Sequence, residues 1–194
     1  MKVVMVYESM FGNTAALAEA VTSGLDDVGA VVALSEVTSV PAEGLLGCDL
    51  LVLAAPTHAL TLSRPASRAE AVSKGADPAH ATRGLREWLT NLDVTLPATA
   101  PRPSIAVFDT RMGKGRHWPG SAARSVERTM KKSGFAVVGR ASFYVDAVAG
   151  PLAAGEHERA REWGRSLAEL ATRGESVSES ATHRSPSPCE PIRS

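Results

Sequence analysis

Apolar residues along this chain fall into two kinds of run. Compact blocks at Lys2–Tyr7, Val31–Leu34, Leu50–Ala54, Ser104–Phe108 and within Phe135–Val145 are rich in Val, Leu and Ala. They read as buried strands, because a strand covered on both faces shows no polar alternation. Between them apolar positions recur at helical spacing. Leu17, Ala18, Val21 and Leu25 mark a helix over Asn13–Val28, with Gly29 as its stop. Leu85, Trp88, Leu89 and Leu92 mark one over Thr82–Leu92. Gly120–Ser133 and Gly155–Arg173 complete the set, and Arg64-Pro65 opens a short helix. Pro97, Pro101 and Pro103 break the chain ahead of the fourth strand.

Buried strands alternating with helices predict an α/β fold, a doubly wound five-stranded parallel sheet covered on both faces. Right-handed crossovers leave few topologies for it. One domain is expected over residues 1–173. The stretch 174–194, "GESVSESATHRSPSPCEPIRS", is Ser/Pro-rich and too polar to bury a core, so it is expected to be a disordered tail. No internal repeat is visible.

The chain's 194 residues suffice for one sizeable core. Its 21 cations balance 21 anions, which removes any global attraction to nucleic acid or membrane. The longest apolar runs, such as Leu50–Ala55, fall far short of the ~20 residues that span a bilayer. The N-terminal run ends at Glu8, too early for a secretory signal. A cytoplasmic protein is expected. Cys48 and Cys189 form neither a disulfide framework nor a metal spacing, so no metal is expected. No acid–base pair or nucleophile constellation stands out, and no catalytic residue is assigned.

Chemistry concentrates where the first strand hands over to the first helix, in "ESMFGNT". In a doubly wound sheet, ligands bind beyond the carboxyl ends of the strands. A helix start offers N–H groups and a positive dipole end to an anion. Gly12 allows positive φ or close approach. Ser9 and Thr14 add hydroxyls, and Asn13 an amide and a helix cap. The loop lacks the lysine of a P-loop and the three glycines of a dinucleotide fingerprint. It suits a monophosphate held by neutral donors, and equally a plain turn and cap.

"SMFGNT" resembles the phosphate loop of the flavodoxin family, and the order of elements is similar to that fold over residues 1–173. The resemblance implies strand order 2-1-3-4-5 and FMN as cofactor. It implies phosphate contacts from Ser9, Gly12, Asn13 and Thr14, with the backbone of Met10 and Phe11. Met10 and Phe11 replace the hydroxyl residues usual in electron-carrier flavodoxins. An aromatic before the Gly is closer to the flavodoxin-like quinone reductases. "PTHALTLSRP" and "GPLAAGEHERAREWG" are similar to stretches of flavodoxin-domain proteins of GC-rich bacteria.

With the phosphate on the first loop, a flavin ring lies between the loops after strands three and four. The first of these offers Pro56, Thr57, His58 and Ala59; the second offers Asp109, Thr110, Arg111, Met112, Gly113 and Trp118. Trp118 either walls the ring or packs on the next helix. His58 either stacks on the ring or stands as a surface group. Thr57 and Thr110 are placed to bond the pyrimidine side. Arg111 and Lys114 lie where a reduced flavin gains from positive charge, or are solvated loop cations. The family's ring-stacking tyrosine has no counterpart among these residues.

Electron-carrier flavodoxins are usually acidic, whereas this chain is neutral. Between Thr110 and Lys132, Arg111, Lys114, Arg116, Arg124, Arg128, Lys131 and Lys132 face Glu127 alone. Such a strip is a solvated helix face, or meets an acidic partner, an anionic substrate or a nicotinamide phosphate. Three readings follow: an FMN-binding redox protein transferring electrons to a partner protein, an NAD(P)H-dependent FMN quinone reductase, or a flavin-free module of the same fold that binds a partner. No oligomeric state is legible.

Overall fold

The computed structural model describes residues 1–40, 47–95, 101–115 and 117–182. Pro97, Arg116, Cys189 and the tail after Thr182 lie outside the described residues. In chain order the elements are β1 (Lys2–Tyr7), α1 (Asn13–Asp26), β2 (Val31–Glu36), β3 (Leu50–Pro56), α2 (Pro65–Ser73), α3 (Leu85–Thr95), β4 (Ser104–Met112), α4 (Ala122–Lys132), β5 (Val137–Val145) and α5 (Glu156–Thr182). The five strands form one parallel sheet in the order β2-β1-β3-β4-β5, as the resemblance implies. β3 and β4 are central and buried along nearly their whole length. That explains their uninterrupted apolar reading in the sequence.

Each face of the sheet buries its own cluster. On one face Val6, Leu51, Leu53, Ile105 and Val107 meet Leu85, Trp88 and Leu92 of α3 and Val126 and Met130 of α4. On the other, Val3, Met5, Leu50, Val52 and Phe108 meet Leu17, Val21 and Leu25 of α1 and Leu167 of α5. Trp163 of α5 stands edge-on to Phe108 and Phe143, with ring centroids 5.8 and 6.1 Å away.

α1 and α5 cross backbone to backbone. A Cβ added at Gly24 would press into the Arg161 carbonyl, 2.9 Å from its carbon, and one at Gly164 would lie 3.1 Å from the Val21 carbonyl carbon. At the rim of this crossing the Arg161 guanidinium grips both carboxylate oxygens of Asp27, each at 2.9 Å. Arg165 adds a third bond. Arg161 and Arg165 together hold the Asp27 carboxyl below its ordinary value.

Several boundaries differ from the sequence reading for physical reasons. β4 continues past Phe108 to Met112, because Asp109, Thr110, Arg111 and Met112 pair with β5. They therefore lie on a strand and not in the loop expected for them. α3 starts at Leu85, not Thr82. Gly84 packs against Arg68 and Ser63, and side-chain carboxylates hold the N–H groups at this helix start, that of Gly84 by Glu87 at 2.9 Å and that of Leu85 by Glu8 at 2.8 Å. α5 runs beyond Arg173 to Thr182, so the expected tail begins inside a helix. Polarity there forbids a core but not a helix, and no proline occurs before Pro186.

Candidate functional site

The chain leaves β1 toward β2 on one side and comes back to β3 on the other. The loops after β1 and β3 therefore part at the carboxyl edge of the sheet, where doubly wound folds bind ligands. A cleft of about 230 Å³ opens there. It is lined by Ser9, Met10, Phe11, Asn13 and Thr14 from the first loop, and Pro56, Thr57, His58 and Ala59 from the second. Thr110, Arg111 and Met112 from the end of β4 close it. Twelve of the sixteen residues expected at a ligand site thus share one cleft.

The other four stand apart from the lining, each with a local task. Gly12 carries φ 82° as the residue preceding α1 and turns the loop. Nothing lies within 4 Å of where its Cβ would be, so its role is conformational and leaves the approach open. Gly113 begins a 3₁₀ turn over Gly113–Gly115. Trp118 lines a neighbouring recess of about 170 Å³ with Leu60, which shares Thr57, Ala59, Arg111 and Met112 with the cleft. Asp109 is fully buried and turned toward α4. Its Oδ2 accepts from the Ala123 N–H (2.9 Å) and from the Thr57 hydroxyl (3.1 Å). The Thr57 oxygen in turn accepts from the Ala122 N–H at 2.9 Å. Asp109 and Thr57 thus satisfy the orphan N–H groups at the start of α4 and lash the second loop to it.

Asn13, expected as a cap, is instead the first residue of α1, whose N-terminus has no side-chain cap from Gly12. Its amide packs against Gly150, where a Cβ would come within 2.7 Å of Oδ1. That contact brings the loop after β5 to the mouth of the cleft. The Ser9 hydroxyl reaches into the first turn and accepts from the Ala15 N–H at 3.3 Å. Thr14 and Thr110 share a buried hydroxyl–hydroxyl bond of 2.9 Å, which ties the first loop to β4. Phe11 leans on a small apolar cluster of Met10, Ala71 and Ala76.

The second loop closes as a two-residue hairpin, with His58 and Thr61 exchanging backbone bonds of 2.9 and 3.0 Å. Such turns require positive φ at both central residues. Ala59 and Leu60 adopt φ 45° and 67° without being Gly or Asn, so the turn is strained. Gly120 lets the approach to α4 wrap this tip, since a Cβ there would lie 2.7 Å from that of Leu60. Burial, and secondarily the charge of Arg68, hold the His58 imidazole below its ordinary value, so the ring lining the cleft is neutral at pH 7. Arg111, buried at the end of β4, lines the same cleft, and its guanidinium donates to the Trp118 carbonyl at 3.3 Å.

Two lining residues escaped sequence reasoning: Val145, the last residue of β5, and Val148 in the loop after it. Val145 lies opposite Met112 in the sheet register. The rule that ligands gather at strand ends, applied to the fifth strand as to the third and fourth, was the signal for both.

Behind the first loop, Glu8 turns to the opposite face. Its buried Oε2 accepts from the Leu85 N–H at 2.8 Å, at the start of α3. Ser63 also bonds it, and Arg68 lies close by. Burial raises the Glu8 carboxyl above its ordinary value despite these partners. The folded chain therefore binds this proton more tightly than the unfolded one. Its contribution to stability is complete below the ordinary Glu value and is lost as pH rises through the folded one. Glu8→Gln keeps an acceptor for Leu85 but cannot ionise. Urea unfolding of the two proteins between pH 4 and 8 is expected to show wild-type stability falling relative to the variant as pH rises. A constant difference would exclude Glu8 as the titrating group.

Among the described residues no helix is long and apolar enough to cross a membrane, and no three His, Cys, Asp or Glu side chains gather as a metal site. Burial pushes the Cys48 thiol up to about 11, which leaves it protonated and unreactive.

No protein-family model and no curated protein matches the chain. Solved structures do. A flavodoxin from the domain Archaea superposes with a TM-score of 0.63 at 19% identity, over 89% of this chain and 99% of that one. A flavodoxin of Streptococcus pneumonia TIGR4 follows with a TM-score of 0.58 at 18% identity, over 87% and 99%. The flavodiiron protein from Giardia intestinalis matches at 0.57 and 18%, over 91% of this chain and 37% of its own. At such identities the likeness establishes the fold, which is flavodoxin-like.

Proposed function

We propose that this flavodoxin-fold chain binds FMN and works as a redox protein. The carrying observation is the cleft itself, at the reversal of strand order, with the start of α1, to which Gly12 brings no side-chain cap, and two hydroxyls on one wall. The donor set suits a phosphate monoester: Ser9 and Thr14 are neutral, Gly12 leaves open approach, and the helix end supplies N–H groups. The cleft and its neighbouring recess together reach the ~300–1,000 Å³ of ordinary ligand pockets, room for a ring beside the phosphate. Met10, Pro56, Met112 and Val148 supply apolar walls, and Phe11 and His58 aromatic ones. FMN, when bound, supplies the electron chemistry; the protein binds it, orients it and limits water.

The first experiment is a titration of the purified chain with FMN, read by quenching of flavin fluorescence, with riboflavin as control. Submicromolar binding of FMN that riboflavin does not match supports the reading. No binding of either flavin overturns it and leaves "SMFGNT" as turn and cap, in a flavin-free module.

Arg111 favours a second reading, a two-electron NAD(P)H-dependent reductase. A buried guanidinium beside the cleft favours added negative charge on a ligand there. Arg111→Met is expected to lower the two-electron midpoint potential of the bound flavin by roughly 20–60 mV, the equivalent of ~1–3 kcal/mol. An unchanged potential with FMN still bound would remove Arg111 from contact with the ring. Rapid oxidation of NADPH by the loaded protein alone distinguishes reductase from carrier.

A further inference from the structure

The large apolar side chains exposed among the described residues gather at two ends of the sheet. Met1, Val28 and Val31 lie at the amino end. Leu60 (38% exposed), Met112 (38%), Trp118 (58%) and Val148 (54%) ring the mouth of the cleft at the other. An exposed Trp and Met beside Leu and Val have the make-up of an interface centre.

A cationic stripe starts at the edge of this ring. Arg124, Arg128, Lys131 and Lys132 are exposed and recur at helical spacing along one outward face of α4. Arg124 joins stripe to ring, since its guanidinium donates to the Pro119 carbonyl, next to Trp118, at 2.7 Å. Lys114 is exposed on the 3₁₀ turn after β4. Of the acids nearby, Glu127 is held by Lys131 and Arg140, and exposed Asp146 shares the loop of Val148. An otherwise charge-balanced chain thus concentrates positive charge next to its largest exposed aromatic.

We infer that this ring and stripe form a docking face for an acidic protein, with Trp118 and Met112 at the contact centre and α4 as its cationic rim. The inference rests on the proposed function in one respect: a flavin in the cleft makes the docked protein an electron-exchange partner. Charge fixes the sign of the occupant, because a positive rim steers and holds a negative surface, and the exposed apolar ring at the centre fits a protein partner. A second copy docking the same face would set two cationic stripes against each other, which disfavours self-association there.

The test is calorimetric titration of the full chain, with and without FMN, against an acidic plant-type [2Fe–2S] ferredoxin, and a basic c-type cytochrome as counter-probe. Ferredoxin binding is expected, weakening ~10-fold or more between 50 and 200 mM salt. Arg128→Glu is expected to weaken it ~5–10-fold, and Lys2→Glu, at the opposite end, less than ~2-fold. Trp118→Ala is expected to weaken it by a similar factor at both salt concentrations. The inference is overturned if the chain does not bind ferredoxin, if the cytochrome binds more tightly, if Lys2→Glu matches Arg128→Glu, or if sedimentation shows a dimer that Arg128→Glu dissolves. Ferredoxin binding with these dependences, but no FMN binding, sinks the flavin reading and leaves the docking face standing. FMN binding without ferredoxin binding does the reverse.

Discussion

Gly164→Ala is expected to destabilise the protein by about 3 kcal/mol, the upper range for forcing extra volume into a packed contact. The reason is geometric. The new methyl meets the Val21 carbonyl, part of a helix backbone and not the end of a side chain that can swing away. Gly24→Ala meets the Arg161 carbonyl from the other side of the same crossing. Either methyl forces α1 and α5 apart and loosens Leu17, Val21 and Leu167 against the sheet. For a chain of this size each kcal/mol lowers the melting temperature by roughly 2–4 °C, so a fall of about 6–12 °C is expected by calorimetry. The double variant is expected to cost less than the sum, since the first methyl already opens the gap the second needs. Full additivity would mean that the two glycines act separately. Cutting the nearby ion pair by Asp27→Asn is expected to matter far less, because it is exposed to solvent.

Thr14→Ala is expected to weaken FMN binding by about 1–3 kcal/mol while leaving riboflavin almost untouched, the scale of a hydrogen bond to a charged group. Ser9→Ala is expected to do the same. The two variants differ in their structural side effects. The Thr14 hydroxyl also holds Thr110, so its loss frees the first loop from β4. The Ser9 hydroxyl holds the Ala15 N–H, so its loss frees one N–H of the first turn of α1. Thr14→Ser keeps the hydroxyl and is expected to keep most of the affinity. Fluorescence titration with both flavins at one pH decides the matter. Equal losses for FMN and riboflavin would show that these hydroxyls shape the cleft without touching a phosphate.

How much of this was legible beforehand follows from what each signal encodes. β3 and β4 were plain as strands because central strands bury both faces, and burial is written in consecutive residues. β2 reads short in the sequence, to Leu34, because an edge strand carries polar residues such as Ser35 and Glu36 that look like a loop. The start of α1 was legible from Gly12, whose positive φ needs that residue. The fate of Asp109 was not. A polar residue after an apolar block looks like a loop ligand, yet this one is buried and caps α4. Trp118 was read at the right edge, but whether it faced the cleft or its neighbour depended on the turn at Ala59 and Leu60.

By itself the sequence determined the alternation of strands and helices, the place of the glycine-turned loop between β1 and α1, and the charge of the α4 stripe. Each is a property of residues within a turn or two of one another, where side-chain period, glycine freedom and charge act directly. Only the tertiary structure decided that Glu8 holds the start of α3, that Thr57 and Asp109 hold the start of α4, that Asn13 meets Gly150, and that Gly24 and Gly164 touch. These partners lie far apart in the chain. Their pairing exists only once the sheet order and the helix crossing have brought them within bonding distance, and no local pattern encodes that.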